Sequence, residues 1–73
     1  RRVQIRVNAD KAEKVAINII NSNGVLISTQ EAHTQVGDNN IAINKVDALP
    51  GGVYYIEVVS STRSLRTKVM KLN

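Results

Sequence analysis

The segment LPGGVYYIEV, residues 49 to 58, constrains the fold of this chain more than any other. Leu49, Gly52 and Tyr54 combine a tight turn with a strand in which one aromatic ring faces inward. Glycine supplies the backbone freedom that such a corner needs. Tyr54 is then placed to bury its ring and return its hydroxyl to nearby backbone, as tyrosine corners do in Greek-key sandwiches. We expect Tyr54 inside and Tyr55 outside, because a one-residue slip would invert the two faces.

The rest of the chain consists of short apolar alternations separated by turn residues. Strands are predicted near residues 3–7, 15–20, 25–29, 41–43, 53–59 and 65–72. Asn23-Gly24 is a strong hairpin signal, and a polar connection is expected over residues 30–40. No helical period persists over three turns. The pattern predicts an all-β fold, a small antiparallel immunoglobulin-like Greek-key sandwich of six to seven strands.

The same period of two predicts which side chains form the core. Leu26 is included because it shares a face with Ile17 and Ile19 in either plausible register of the second hairpin. The expected buried residues are Val3, Ile5, Val15, Ile17, Ile19, Leu26, Ile41, Ile43, Leu49, Tyr54, Ile56, Val58 and Val69.

Composition limits the class of protein to which this chain can belong. The 73 residues are enough for one small domain, and the absence of cysteine excludes disulfides and thiolate-bound metals. No apolar run approaches a membrane span, and the first residues do not resemble a signal peptide. The start at Arg1-Arg2, without a methionine, suggests a single domain, residues 1–73, taken from a larger precursor.

Residues that would carry chemistry are few. His33 is placed in a polar loop with no predicted partner, and a solvated side chain explains it best. The pairs Asp10 with Glu13 and Asp38 with Asp47 lack the oxygen-rich loop that calcium needs, so turn formation accounts for them. We therefore expect no enzyme, no metal and no cofactor.

The charge distribution is more suggestive of a binding role. Ten basic residues oppose six acidic ones, for a net charge of +4, and no acid follows Glu57. Nucleic-acid binding is disfavoured because the aromatics that would stack bases are missing. Arg66 and Lys68 are either the solvated face of an edge strand, where lysine discourages stray pairing, or part of a recognition surface. Met70 is expected to fill a gap or lie on a face.

Four motifs follow one another along the chain: VAINIINSNG, GDNNIAI, LPGGVYYIEV and LRTKVMKLN. Their succession resembles the C-terminal sorting domain of type IX secretion cargo in the Bacteroidota, and it spans essentially all 73 residues. The family usually opens with an Asn-Pro box, which this sequence lacks. The motif positions are Gly24, Gly37, Asn39, Leu49, Gly52, Tyr54, Lys68 and Lys71.

The resemblance implies a non-catalytic secretion signal at the C-terminus of a cargo domain. The cargo would reach the periplasm, where the type IX translocon or its shuttle proteins would recognise the sorting domain and carry it across the outer membrane. A surface sortase would then remove the domain, leaving the cargo at the cell surface or outside the cell. The residues expected to contact the translocon are Arg66, Lys68, Val69, Met70, Lys71 and Leu72.

Two other functions remain open at this stage. The chain could be an accessory or linker module of a secreted enzyme, which would continue past Asn73, whereas a sorting domain must end its precursor. Carbohydrate binding is poorly supported, because only Tyr55 is a candidate exposed aromatic. An accessible terminal strand also predicts a homodimer or a strand swap at high concentration.

Overall fold

The structure, a computed structural model, describes residues 3–72 and is built almost entirely of strands. The Arg1-Arg2 start lies outside the described residues. One short 3₁₀ helix, Val46–Ala48, precedes the tyrosine corner. The six strands are β1 (Val3–Ala9), β2 (Lys14–Asn21), β3 (Leu26–His33), β4 (Gly37–Ile43), β5 (Gly52–Val59) and β6 (Ser64–Lys71). The all-β prediction is confirmed, and the arrangement is compatible with a small immunoglobulin-like sandwich.

The strands form two antiparallel sheets of unequal width. The smaller sheet contains β1 and β4, and the larger has the order β3-β2-β5-β6. Tight turns join β2 to β3 and β5 to β6, while the central pair β2–β5 brings together distant parts of the chain, with Ile17 opposite Val58. This order leaves β6 at one edge of the larger sheet.

The core lies between the two sheets and follows the predicted alternation. Tyr54 is only 8% exposed, while Tyr55 is half-buried on the opposite face of β5, so the predicted register is right. Val3, Ile5, Leu49 and Val69 are partly buried against the core. The buried hydrophobic residues of this core are Val7, Val15, Ile17, Ile19, Ile41, Ile43, Tyr54, Ile56 and Val58.

Leu26 is the one predicted core residue that lies elsewhere, because the β2–β3 hairpin contains a bulge. Ile19 pairs with Ser28, but the next residue, Ile20, pairs with Leu26, so Ile27 is the extra residue. A bulge of this kind reverses the alternation beyond it. Leu26 therefore shares the outer face of the sheet with Ile20 and is 56% exposed.

The polar connection predicted over residues 30–40 is mostly strand. β3 continues to His33, which pairs with Lys14, so this histidine lies at the end of a strand and not in a loop. Gln30 is a polar residue on the core-facing side of β3, opposite Ile17. Its side-chain nitrogen donates to the carbonyl of Ala42 at 2.9 Å, and its oxygen accepts from the amide of Asn44 at 2.9 Å. Gln30 thus ties β3 to the end of β4 and closes that side of the sandwich.

The motif positions Gly24, Gly37 and Asn39 shape turns. Gly24 has φ of 84° in the β2–β3 turn, and Gly37 has φ of 100° at the start of β4, conformations that favour glycine. Asn39 accepts a hydrogen bond from the amide of Gln35 at 2.8 Å and donates to the carbonyls of Gln35 and Val7. Its side chain therefore fixes the turn before β4 and links that turn to β1.

Candidate recognition strand

β6 is an edge strand, and it carries every residue predicted to contact a translocon except Leu72, which follows it. It pairs only with β5 among the described residues, from Ser64 opposite Val59 to Lys71 opposite Gly52. Its other edge presents backbone N–H and C=O groups without a strand partner. The alternation along β6 divides the predicted residues between two faces, with Arg66, Lys68 and Met70 on the outer face.

Arg66 is engaged with its neighbours on that outer face. Its guanidinium lies 3.3 Å from a carboxylate oxygen of Glu57 on β5 and 5.7 Å from the centre of the Tyr55 ring. A cation over an aromatic face is attracted to the ring. The arginine thus occupies the ring that carbohydrate binding would need as an open platform.

Glu57 organises the charges beside β6. The side-chain amide of Asn18 donates to its carboxylate at 3.2 Å, and Arg66 and Ser64 contact the other oxygen. The hydrogen bond from Asn18, followed by the interactions with Arg66, lowers the pKa of Glu57 from its ordinary value of 4.5. The folded domain therefore favours the ionised carboxylate.

This lowered pKa predicts a pH dependence of stability. A carboxylate whose pKa is lower in the folded state stabilises the fold above the pKa of the unfolded state, and the contribution disappears as the pH falls through the folded value. We expect the free energy of unfolding to decrease on acidification below about pH 4.5, and Glu57→Gln to flatten that decrease. Urea titrations at several pH values measure it. An equally steep decrease in Glu57→Gln would contradict the assignment.

Lys68 and Met70 are two of the exposed side chains of β6. Lys68 lies opposite Tyr55 and is exposed, and no hydrogen bond or ion pair within residues 3–72 holds its ammonium group. Met70 is 69% exposed and Leu72, just beyond the strand, is 79% exposed. An unpaired cation beside exposed apolar side chains on an open strand edge is suited to contact a partner.

Lys71 and Val69 face inward and contribute to the fold. Lys71 is half-buried, and its ammonium group donates to the carbonyl of Leu49 at 2.5 Å and to that of Asp47 at 3.2 Å. Val69 faces Tyr54 and packs against the core. Of the predicted recognition residues, these two therefore have a demonstrable part in the fold.

The corner that Lys71 contacts is closed by Tyr54. The tyrosine hydroxyl donates to the carbonyl of Pro50, four residues earlier, at 2.5 Å. The predicted return of this hydroxyl to nearby backbone is confirmed. Leu49 is half-buried beneath the same corner. One end of β6 and the segment before β5 are thus held by a lysine and a tyrosine that donate to neighbouring carbonyls.

Other kinds of site have little support within residues 3–72. No group of three or more histidine, cysteine, aspartate or glutamate side chains is placed to hold a metal ion. His33 is exposed at the end of β3, the opposite edge strand from β6. Over the same described range, no helix has the length and apolar character that a membrane span requires.

These observations define a class of protein, a small antiparallel sandwich whose distinctive surface is a cationic edge strand late in the chain. The chain belongs to the family of secretion system C-terminal sorting domains, whose family model matches residues 1–72. The resemblance noted from the four motifs is confirmed. No curated protein and no solved structure matches the chain.

Membership of the family establishes the general function. The domain is a type IX secretion sorting signal, and its family is not a family of catalysts. Its destination is the outer membrane or the cell surface, and it interacts with the secretion machinery.

Proposed function

We propose that this domain is the C-terminal part of a larger cargo protein and that β6 is the element read by the translocon. The cargo enters the periplasm, the folded domain is bound there by translocon or shuttle proteins, and the whole crosses the outer membrane. A surface sortase then removes the domain, which itself has no catalytic role. The cargo remains at the cell surface or is released.

The observation that carries this proposal is the free edge of β6. Addition of a partner strand there would satisfy the unpaired backbone groups, and alternate side chains would give specificity. Lys68 is the cation available for steering and for a charge-assisted contact, because Arg66 is paired with Glu57 and Lys71 is bound to carbonyls. Met70 supplies an apolar contact on the same face.

Replacing Lys68 with glutamine is the most direct test. With the chain fused behind a periplasmic reporter in a host with type IX machinery, we expect the surface reporter to fall about tenfold, equivalent to ~1.4 kcal/mol of recognition. The fold should be unaffected because the side chain is exposed. Lys11→Gln, which removes an exposed cation from the loop between β1 and β2, is the matched control and should be exported normally.

Two further variants are expected to affect folding as well as recognition. Lys71→Gln removes hydrogen bonds to the corner, and deletion of residues 68–73 also removes Val69 from the core edge. Both are expected to lower the melting temperature, so their export defects do not by themselves identify a recognition strand. Normal export of Lys68→Gln and of the deletion would overturn the sorting proposal and favour an accessory module. If the molecular mass of the reporter at the cell surface is smaller than that of the fusion by the mass of the domain, removal by a sortase is supported.

The open edge of β6 is also available to a second copy of the chain. We propose that the isolated domain pairs or exchanges this strand at high concentration, since an uncovered edge is a template for pairing. Light scattering over a concentration series should show the mass rising towards a dimer. A constant monomer mass would count against it.

A further inference from the structure

The sandwich is closed on one side and open on the other. On the β3 side, Gln30 bridges to β4 through hydrogen bonds with Ala42 and Asn44. On the β6 side, Val69 and Lys71 are covered near the tyrosine corner, but the inward-facing side chains of the first half of the strand are not. Leu65 and Thr67 point to the same face as the buried Ile56 and Val58, yet Leu65 is 48% exposed and Thr67 is exposed.

The uncovered region is an apolar cleft between β1 and β6, with a volume of about 500 Å³. Ile5 and Val7 of β1 form one wall, and Leu65 and Thr67 of β6 form the other. Both bounding strands are edge strands, because β1 pairs only with β4 and β6 only with β5 among residues 3–72. A third strand beside β1 would lie over β6 and bury its inner face.

The charge of the cleft indicates what such a strand would carry. Arg6 and Arg63 line it, and no described carboxylate does. The guanidinium of Arg63 donates to the carbonyl of Asn8 at 3.3 Å, which holds this cation at one end of the cleft. Apolar walls with two arginines at the rim are complementary to an extended segment with alternating apolar and acidic side chains.

We propose that the cleft binds an extended partner strand of alternating apolar and acidic residues, which pairs with the free edge of β1 and packs its apolar side chains on Leu65 and Thr67. This surface is distinct from the outer face of β6, where Lys68 lies, and its occupation goes beyond the proposed sorting role. Binding to the purified chain does not depend on export, so the two proposals fail or hold separately.

Fluorescence anisotropy with a labelled peptide tests the cleft. The probe is a peptide of about nine residues that alternates valine and glutamate, long enough for one strand. The comparison peptide has lysine in place of glutamate. We expect the glutamate peptide to bind and the lysine peptide to bind at least about tenfold more weakly, a difference of ~1.4 kcal/mol. Equal affinities, or no binding of the glutamate peptide, would overturn the proposal.

A matched pair of leucine variants locates the binding site. Leu65 and Leu26 are both about half-exposed on edge strands of the larger sheet, but only Leu65 lines the cleft. Leu65→Ser should weaken peptide binding about tenfold through lost apolar contact, and Leu26→Ser should leave it unchanged. Equal losses in both variants would refute the site.

Hydrogen exchange and light scattering distinguish the occupants. Amides of β1 should become protected when the glutamate peptide binds, whereas amides of the opposite edge strand β3 should not. If a second copy of the chain fills the cleft instead, Leu65→Ser will dissociate a dimer that excludes the peptide, and the partner-strand proposal is wrong.

Discussion

Tyr54→Ala is expected to lower the free energy of unfolding by about 3 to 5 kcal/mol, as large-to-small aromatic substitutions in cores do. The ring is 8% exposed between the sheets, and the hydroxyl closes the corner by donating to Pro50. A domain of 73 residues has a total stability of about 4 to 11 kcal/mol, so the loss is a large fraction of it, and at the lower end of that range much of the variant would be unfolded at 25 °C. Urea denaturation followed by circular dichroism measures the loss.

Tyr54→Phe separates the ring from the hydroxyl. It keeps the buried aromatic volume and removes only the hydrogen bond to Pro50, which should cost about 1 kcal/mol. If the two variants were equally unstable, the hydroxyl and not the buried ring would dominate the contribution of this residue.

Ile17→Ala is the second large effect that we expect, about 2 to 5 kcal/mol. Ile17 is 1% exposed on β2, a strand paired on both sides, and the cavity left by truncation cannot be filled without moving two neighbouring strands. Ile27→Ala removes the same atoms from a bulge position that is 41% exposed, and it should cost about 1 kcal/mol or less. Similar midpoints in urea for the two variants would contradict the assigned core.

Local patterns were sufficient to predict most of the fold. The period of two placed Ile17, Ile19 and Ile56 inside, because alternate side chains of a strand face opposite sides of a sheet. The leucine, glycine and tyrosine of the corner act within six residues, so the turn and the inward ring could be inferred without tertiary information. The exposed edge expected of an accessible terminal strand is also found, since β6 lies at one edge of the larger sheet.

Features that depend on distant residues were missed or wrongly predicted. A bulge opposite Ile20 turned Leu26 outward, and nothing in an apolar alternation reports a one-residue shift in pairing. Gln30 looks like a loop residue until its bonds to β4 are known. Thr34 is 2% exposed because its hydroxyl and amide bond to the segment before β2, 21 or more residues away.

The candidate recognition strand could likewise be predicted only in part. Composition and alternation were enough to infer that β6 carries cations on its solvent face. The hydrogen bonds from Lys71 to the carbonyls of Asp47 and Leu49 could not be inferred, because these residues lie more than 20 positions earlier and approach Lys71 only when β5 and β6 pair. The structure thus separates two lysines that the sequence treats alike: Lys71 is held by backbone carbonyls, whereas no hydrogen bond or ion pair within residues 3–72 holds the ammonium group of Lys68.

The strand order of the larger sheet has a kinetic consequence. Each hairpin, β2–β3 and β5–β6, can form within its own stretch of chain, on the order of microseconds for such a unit. The two hairpins join only through β2 and β5, where Ile17 meets a residue 41 positions later, Val58. Loop closure of that length makes folding slow, on the order of milliseconds to seconds. A chain delivered from its N-terminus therefore completes its core only when β5 has arrived, so the core and the edge strand become available almost together.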